Sequence, residues 1–200
     1  MSDKRAIYTI GAIVAAFALV LGMVAGSTSL TTMSVSTQEP MRMSGHAIIT
    51  LADSDGNIKA YRQTDNVVTL VGQNCAADEI FGTTLGDLCP TTGSGAFIFI
   101  GIGTGLGGGV SDGDTTLGHE ILSRTGALDS QSAATTTTGA IKVIKGTFVL
   151  GTASTVDEVA LFDSTSTTGN NNMFSHLEIS PVISGGLDDI ITITYEVTVG

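Results

Sequence analysis

The residues whose spacing most suggests chemistry are Gly103-Thr104-Gly105-Leu106-Gly107-Gly108, which fit the pattern G-x-G-x-x-G. In dinucleotide-binding folds such glycines let the backbone approach a pyrophosphate, and the N-terminus of a following helix holds its charge. Here Gly109-Val110-Ser111-Asp112-Gly113-Asp114 follows, a poor helix start whose two carboxylates repel phosphate. The run therefore reads as a glycine-rich loop between strands. Asp53, Asp55 and Asn57 resemble the opening of a calcium loop, but Ile58 and Thr64 stand where that loop wants Gly and Glu. Asp53-Ser54-Asp55-Gly56 reads instead as a hairpin turn. Asp112 with Asp114, and Asp188 with Asp189, place further carboxylates in turns. No cofactor is expected, and calcium is the one metal for which these turns offer suitable oxygens.

His46, His119 and His176 are scattered, outside any His-x-x-His, His-Glu-x-x-His or Cys-x-x-Cys setting, and no G-x-S-x-G elbow occurs. The sequence thus predicts no catalytic, cofactor-binding or metal site, and a chain that is not an enzyme. Cys75 and Cys89 are the two cysteines. In an exported chain the pair reads as one disulfide, and in the cytosol as two thiols.

These residues need elements to position them, and the first element is set apart from the rest. Lys4 and Arg5 precede Ile7 to Gly26, a run without charge. As a helix it spans about 30 Å, the thickness of a bilayer core. Residues 1–26 therefore read as a signal or an uncleaved anchor, with the small residues Val24-Ala25-Gly26 before Ser27 marking a cleavage candidate. The membrane is thus a partner during export.

The rest of the chain is low in charged residues (14%) and aromatics (5%), and rich in Gly, Thr and Ser. That composition suits short strands and turns rather than a helical bundle. The formal net charge of −11 disfavours a nucleic-acid partner. Strands are expected at His46 to Leu51, Asn57 to Arg62, Val67 to Val71, Ala96 to Ile102, Ala140 to Ile144 and Gly146 to Leu150. Three more follow at Thr155 to Phe162, Met173 to Ile179 and Ile190 to Val199. In the last, Ile191, Ile193, Tyr195, Val197 and Val199 share a face opposite Thr192, Thr194, Glu196 and Thr198. Such alternation marks an antiparallel sheet with one buried face. A short helix is expected at Cys75 to Phe81, and loops at Thr83 to Gly95 and Asp129 to Gly139. The expected fold is all-β, an antiparallel β-sandwich or jelly roll over 44–200 behind an N-terminal hydrophobic helix.

Three resemblances follow from these residues. Lys4-Arg5-Ala6 before an apolar helix resembles the processing site of archaeal type IV pilins, which implies a cut after Ala6 and a retained helix. The order FIFIGIGTG (97–105), DTTLGHE (114–120), VDEVALFD (156–163), NMFSHLEIS (172–180) and GLDDIITITYEVTVG resembles a β-sandwich module of tailed-phage virion and tail proteins. Related-looking modules occur in secreted archaeal surface proteins, behind a signal-like start. Within residues 27–43, the segment Ser29-Leu30-Thr31-Thr32-Met33-Ser34-Val35-Ser36 is uncharged and β-prone, and Glu39-Pro40 separates it from the domain. This layout resembles that of archaeal bundling pili and bacterial donor-strand pili, where a free strand completes a neighbour's sheet. A linker between membrane and domain is the other reading of that segment.

The expected function is a structural subunit of an extracellular, pilus-like homopolymer at the cell surface, built by strand donation. The alternatives are a type IV pilin-like subunit with a retained helix core, or a virus-derived virion or tail protein. Surface glycans or neighbouring cells are the further partners such a filament would meet.

Overall fold

The computed structural model describes residues 42–81, 97–135, 139–167 and 172–200. In chain order the elements are β1 (Met43–Ala52), β2 (Ile58–Asp65), β3 (Val67–Val68), helix α1 (Leu70–Phe81), β4 (Phe99–Thr104) and β5 (His119–Glu120). They continue with β6 (Ala127–Ser132), β7 (Ala140–Val149), β8 (Ser154–Phe162), β9 (Met173–Gly185) and β10 (Ile190–Val199). Two antiparallel five-stranded sheets result, ordered β2-β1-β10-β7-β6 and β3-β9-β8-β4-β5. The fold is a β-sandwich, as the alternating strands imply.

The core forms where the alternating faces meet. Ala47, Ile49 and Leu51 of β1, with Ile191, Ile193 and Tyr195 of β10, pack against Val159 and Leu161 of β8 and Leu177 of β9. The register pairs Ile49 with Ile193 and Leu51 with Ile191, so apolar cross-strand neighbours stack on the inner face. The opposite faces of β1 and β10 carry Thr50, Thr192 and Thr194, which is why these strands alternate so cleanly. The Tyr195 hydroxyl lies inside this core, 2.5 Å from the Ser175 hydroxyl. Burial pushes its pKa up, and the Ser175 hydrogen bond only partly opposes that.

Several expected boundaries shift. The strand expected at Val67 to Val71 stops at Val68, and the helix starts at Leu70 rather than Cys75. Thr69 is the cause: its Oγ1 accepts the Gly72 N–H (3.1 Å) as a helix N-cap. A Cβ at Gly72 would lie 2.3 Å from the Phe174 carbonyl oxygen, so only glycine lets α1 seat on β9. The two strands expected around Lys145-Gly146 are one strand, β7. Gly146 sits there because a Cβ would meet the Thr125 carbonyl oxygen at 3.1 Å and the Ile100 side chain at 3.2 Å. Strand β9 runs on through Pro181 to Gly185, beyond the expected end at Ile179. Finally, Asp129 to Ser132, expected as loop, belong to β6. That strand is exposed along its whole length, so it shows none of the alternation by which a strand is recognised.

Strand β8 is buried without a break from Glu158 to Phe162 because both of its faces are covered. The inner face meets the main core. On the outer face, Ala160 and Phe162 join Leu117, Met173 and Phe99 in a second apolar cluster. Leu117 belongs to the segment 105–126, which crosses this outer face as a cover.

Candidate functional site

The densest polar arrangement among the described residues fastens that cover to the sheet. Glu158 on β8 and His176 on β9 are buried (0% and 2% exposed) and project from the outer face. His176 Nε2 lies 3.0 Å from Glu158 Oε2, and His176 Nδ1 lies 2.7 Å from Asp114 Oδ2 of the cover. The Gly118 N–H (2.8 Å) and His119 N–H (3.3 Å) donate to Glu158 Oε1. Every bond here crosses between cover and sheet or between neighbouring strands. Both bonds to the ring are complete when it is an imidazolium, or when one carboxyl keeps its proton. Burial pulls the Asp114 carboxyl up, yet the Ser111 N–H and His176 outweigh it and hold it below the ordinary value of 3.8.

A second fastening lies beside the first. Arg124 Nε and Nη2 donate to Glu120 at 2.8 and 3.1 Å, and Nη1 donates to the Ser164 carbonyl at 3.2 Å. The guanidinium lies 3.4 Å from the centre of the Phe162 ring. Bidentate pairing and stacking on an aromatic face are geometries that arginine meets and lysine does not.

The glycine-rich run serves the same cover. A Cβ at Gly103 would come within 2.6 Å of Glu158 Oε1 and 2.9 Å of the His119 carbonyl oxygen, so this glycine makes room for the buried carboxylate. Gly105 and Gly109 take left-handed φ values of 91° and 82°, where the chain turns off β4 into the cover. No helix follows Gly108 among the described residues up to Thr135. The dinucleotide-like spacing therefore belongs to a close approach and a turn.

This cluster acts as a clamp. A general base has to reach a substrate proton. The His176 side chain is 3% exposed, and both of its nitrogens face carboxylates. Of the acids that the sequence offers for calcium, Asp53, Asp114 and Asp189 are likewise engaged. Asp53 accepts from the backbone N–H groups of Asp55 (3.0 Å) and Asn57 (2.8 Å), closing the β1–β2 hairpin. The Asn57 side chain and these N–H groups lower its pKa. Asp189 bonds Lys59 at 2.5 Å and the Gly186 N–H at 2.6 Å, and the lysine lowers its pKa. Among the described residues, no three His, Cys, Asp or Glu side chains form a group able to hold a metal ion.

A different kind of site lies at the end of the sandwich where β1 begins. Met43, Ala140, Ile144 and Val199 of the first sheet face Phe174 of the second, with Ile80 of α1 alongside. They line an open apolar groove of about 460 Å³. Arg42 and Gly200 exchange backbone hydrogen bonds at its lip (2.6 and 3.0 Å), so the chain enters the domain there. β6 lies beside the groove, because Leu128 pairs with Ile144 and Gln131 with Lys142, and Ile144 and Lys142 both line it. The bulge between Leu128 and Ser130 puts Leu128 and Gln131 on the same side despite their odd spacing. The Lys142 ammonium also donates to the Gln131 side chain.

Of the residues singled out from the sequence, Cys75 is buried on α1. Its expected partner Cys89 lies outside the described residues, as do Ala6, Gly26, Ser27 and the strand Ser29 to Ser36. The apolar run 7–26 lies there too. Among the described residues no helix is long and apolar enough to cross a membrane. No family model, no curated protein and no solved structure matches this chain.

Proposed function

We propose that the chain is a structural subunit of an extracellular, pilus-like filament at the cell surface, built by strand donation between copies and without an enzymatic role. One observation carries this reading. Strand β1 is paired on both sides, by β2 and β10, and the sandwich fills its core with strands from residues 43–199. The uncharged, β-prone segment 29–36 precedes this fold in the sequence. A strand with that composition buries its side chains and satisfies its backbone by adding to another copy's sheet. Repeating that head-to-tail contact does not close on itself and so grows a fibre.

The clamped cover fits a structural role as well, since buried polar bonds hold a loop that would otherwise open easily. Export through residues 1–26 and a Cys75–Cys89 disulfide complete the proposal. Non-reducing peptide mapping of surface material checks the disulfide. Deleting residues 27–38 tests assembly: a folded subunit that no longer forms filaments is expected. Filaments from the deletion would overturn strand donation.

A further inference from the structure

We infer that the acceptor of the donated strand is the free edge of β6 together with the apolar groove beside it, and that its occupant is residues 29–36 of a second copy. This rests on the strand-donation reading and adds where the strand goes.

The sandwich, over its described residues, has four edge strands, and three are unsuited to receive another. β3 and β5 are two residues long. The β2 edge carries Lys59, Arg62 and Asp65, and Arg62 Nε donates across to the Pro181 carbonyl of β9 (3.1 Å). Charge on an edge is the usual means by which a sheet refuses a further strand. β6, of sequence ALDSQS, holds the single charge of Asp129, no proline, and six exposed residues. Its length, about 20 Å at the rise of an antiparallel strand, suits an eight-residue partner.

The side chains agree with this placement. Leu128, 47% exposed, lies across the strand pair from Ile144, which lines the groove, and so adds an apolar side chain beside it on β6. In the donor, Thr31, Met33 and Val35 fall on one face with period two, so one apolar stripe would lie beside Leu128. The opposite face would carry Leu30, Thr32, Ser34 and Ser36. Neither the stripe nor the groove brings an acid to the contact.

Chain reach makes the donor a second copy. β6 runs toward the groove end, since Ser132 pairs with Ile141 and Ala127 with Lys145. An antiparallel donor therefore starts at the groove end and finishes at the far end. The same chain would then have to return from residue 36 to Arg42 at the groove lip, across four strand spacings and the donor's own length. That diagonal is about 30 Å, whereas the six intervening steps span at most about 21 Å. An antiparallel strand cannot come from its own subunit, and all pairings among the described residues are antiparallel.

The test places the photoreactive residue p-benzoylphenylalanine at position 128 of the full chain, in filaments grown from mixed ¹⁴N- and ¹⁵N-labelled copies. Irradiation and peptide mapping should give crosslinks from position 128 to residues 29–36, with the two isotopes mixed across the link. Crosslinks confined to one isotope, crosslinks elsewhere, or none would overturn the inference. The double variant Leu128→Lys/Ser130→Lys should lose the sedimenting polymer while melting within 2 °C or so of the parent, because both side chains are exposed. Polymer from that variant also refutes the β6 acceptor. If deleting 27–38 abolishes filaments while the β6 experiments fail, the acceptor lies elsewhere and strand donation stands. If the deletion leaves filaments intact, both fall.

Discussion

Replacing His176 by Ala removes the group that joins Asp114 of the cover to Glu158 of the sheet. The two carboxylates do not suffer equally. Asp114 is part-exposed and keeps the Ser111 N–H, so water makes good most of its loss. Glu158 is wholly buried and keeps only the Gly118 and His119 N–H groups. Breaking a buried pair by removing one partner costs about 3–5 kcal/mol, most of it the stranded charge. For a domain of this size that lowers Tm by about 6–20 °C, taking about 2–4 °C per kcal/mol. Thermal unfolding followed by circular dichroism measures the shift. Hydrogen exchange should show the loss first in residues 105–126, before the paired strands β1 and β10. Adding Glu158→Gln should then cost less than it does in the parent, because the His176 partner is already gone and the substitution removes the charge left stranded, with a coupling of about 1–3 kcal/mol. A Tm change under 2 °C or so, or strict additivity of the two substitutions, would refute the clamp.

Three further outcomes follow from the same contacts. The Asp114 carboxyl is held below its ordinary value of 3.8, so the stability it contributes is complete above that value and is lost as pH falls through the lowered one. Protection of the cover against hydrogen exchange, corrected for the intrinsic rate at each pH, should accordingly fall below about pH 4 and, in the Asp114→Asn variant, lose that dependence. Arg124→Lys gives up the paired bonds to Glu120 and the stacking on Phe162, and should cost about 1–3 kcal/mol by urea unfolding. Tyr195→Phe leaves the Ser175 hydroxyl without its partner in the core and should cost about 1–3 kcal/mol, much of which Tyr195→Phe/Ser175→Ala recovers.

What could be read in the sequence was whatever one buried face imposes on its own strand. IITITYEVTV is β10 from end to end, since every second residue meets the core and the others meet water. The β1–β2 hairpin was legible from Asp53-Ser54-Asp55-Gly56 for the same local reason. β6 was not, because neither of its faces is buried and ALDSQS has the composition of a turn. β7 was split in two because Gly146 and Lys145 look like a break, while the glycine answers to Ile100 and Thr125 on other elements. The clamp was equally out of reach. His176 meets partners 62 and 18 residues away, and bulges in β8 and β9 set which of them share its face. Glu158, the residue at its centre, lies in an apolar run that gave no sign of a carboxylate facing a second, covered surface. One signal was present: Gly101 and Gly103 alternate along β4, and small residues in a strand mark a close approach from another part of the chain.

The most direct measurement is the intact mass and N-terminal sequence of the native protein taken from cell-surface filaments. Strand donation predicts a start at or near Ser27, with the β-prone segment 29–36 freed at the new terminus. A start at Ile7, with the apolar run retained, would contradict it and make a helical core the basis of assembly.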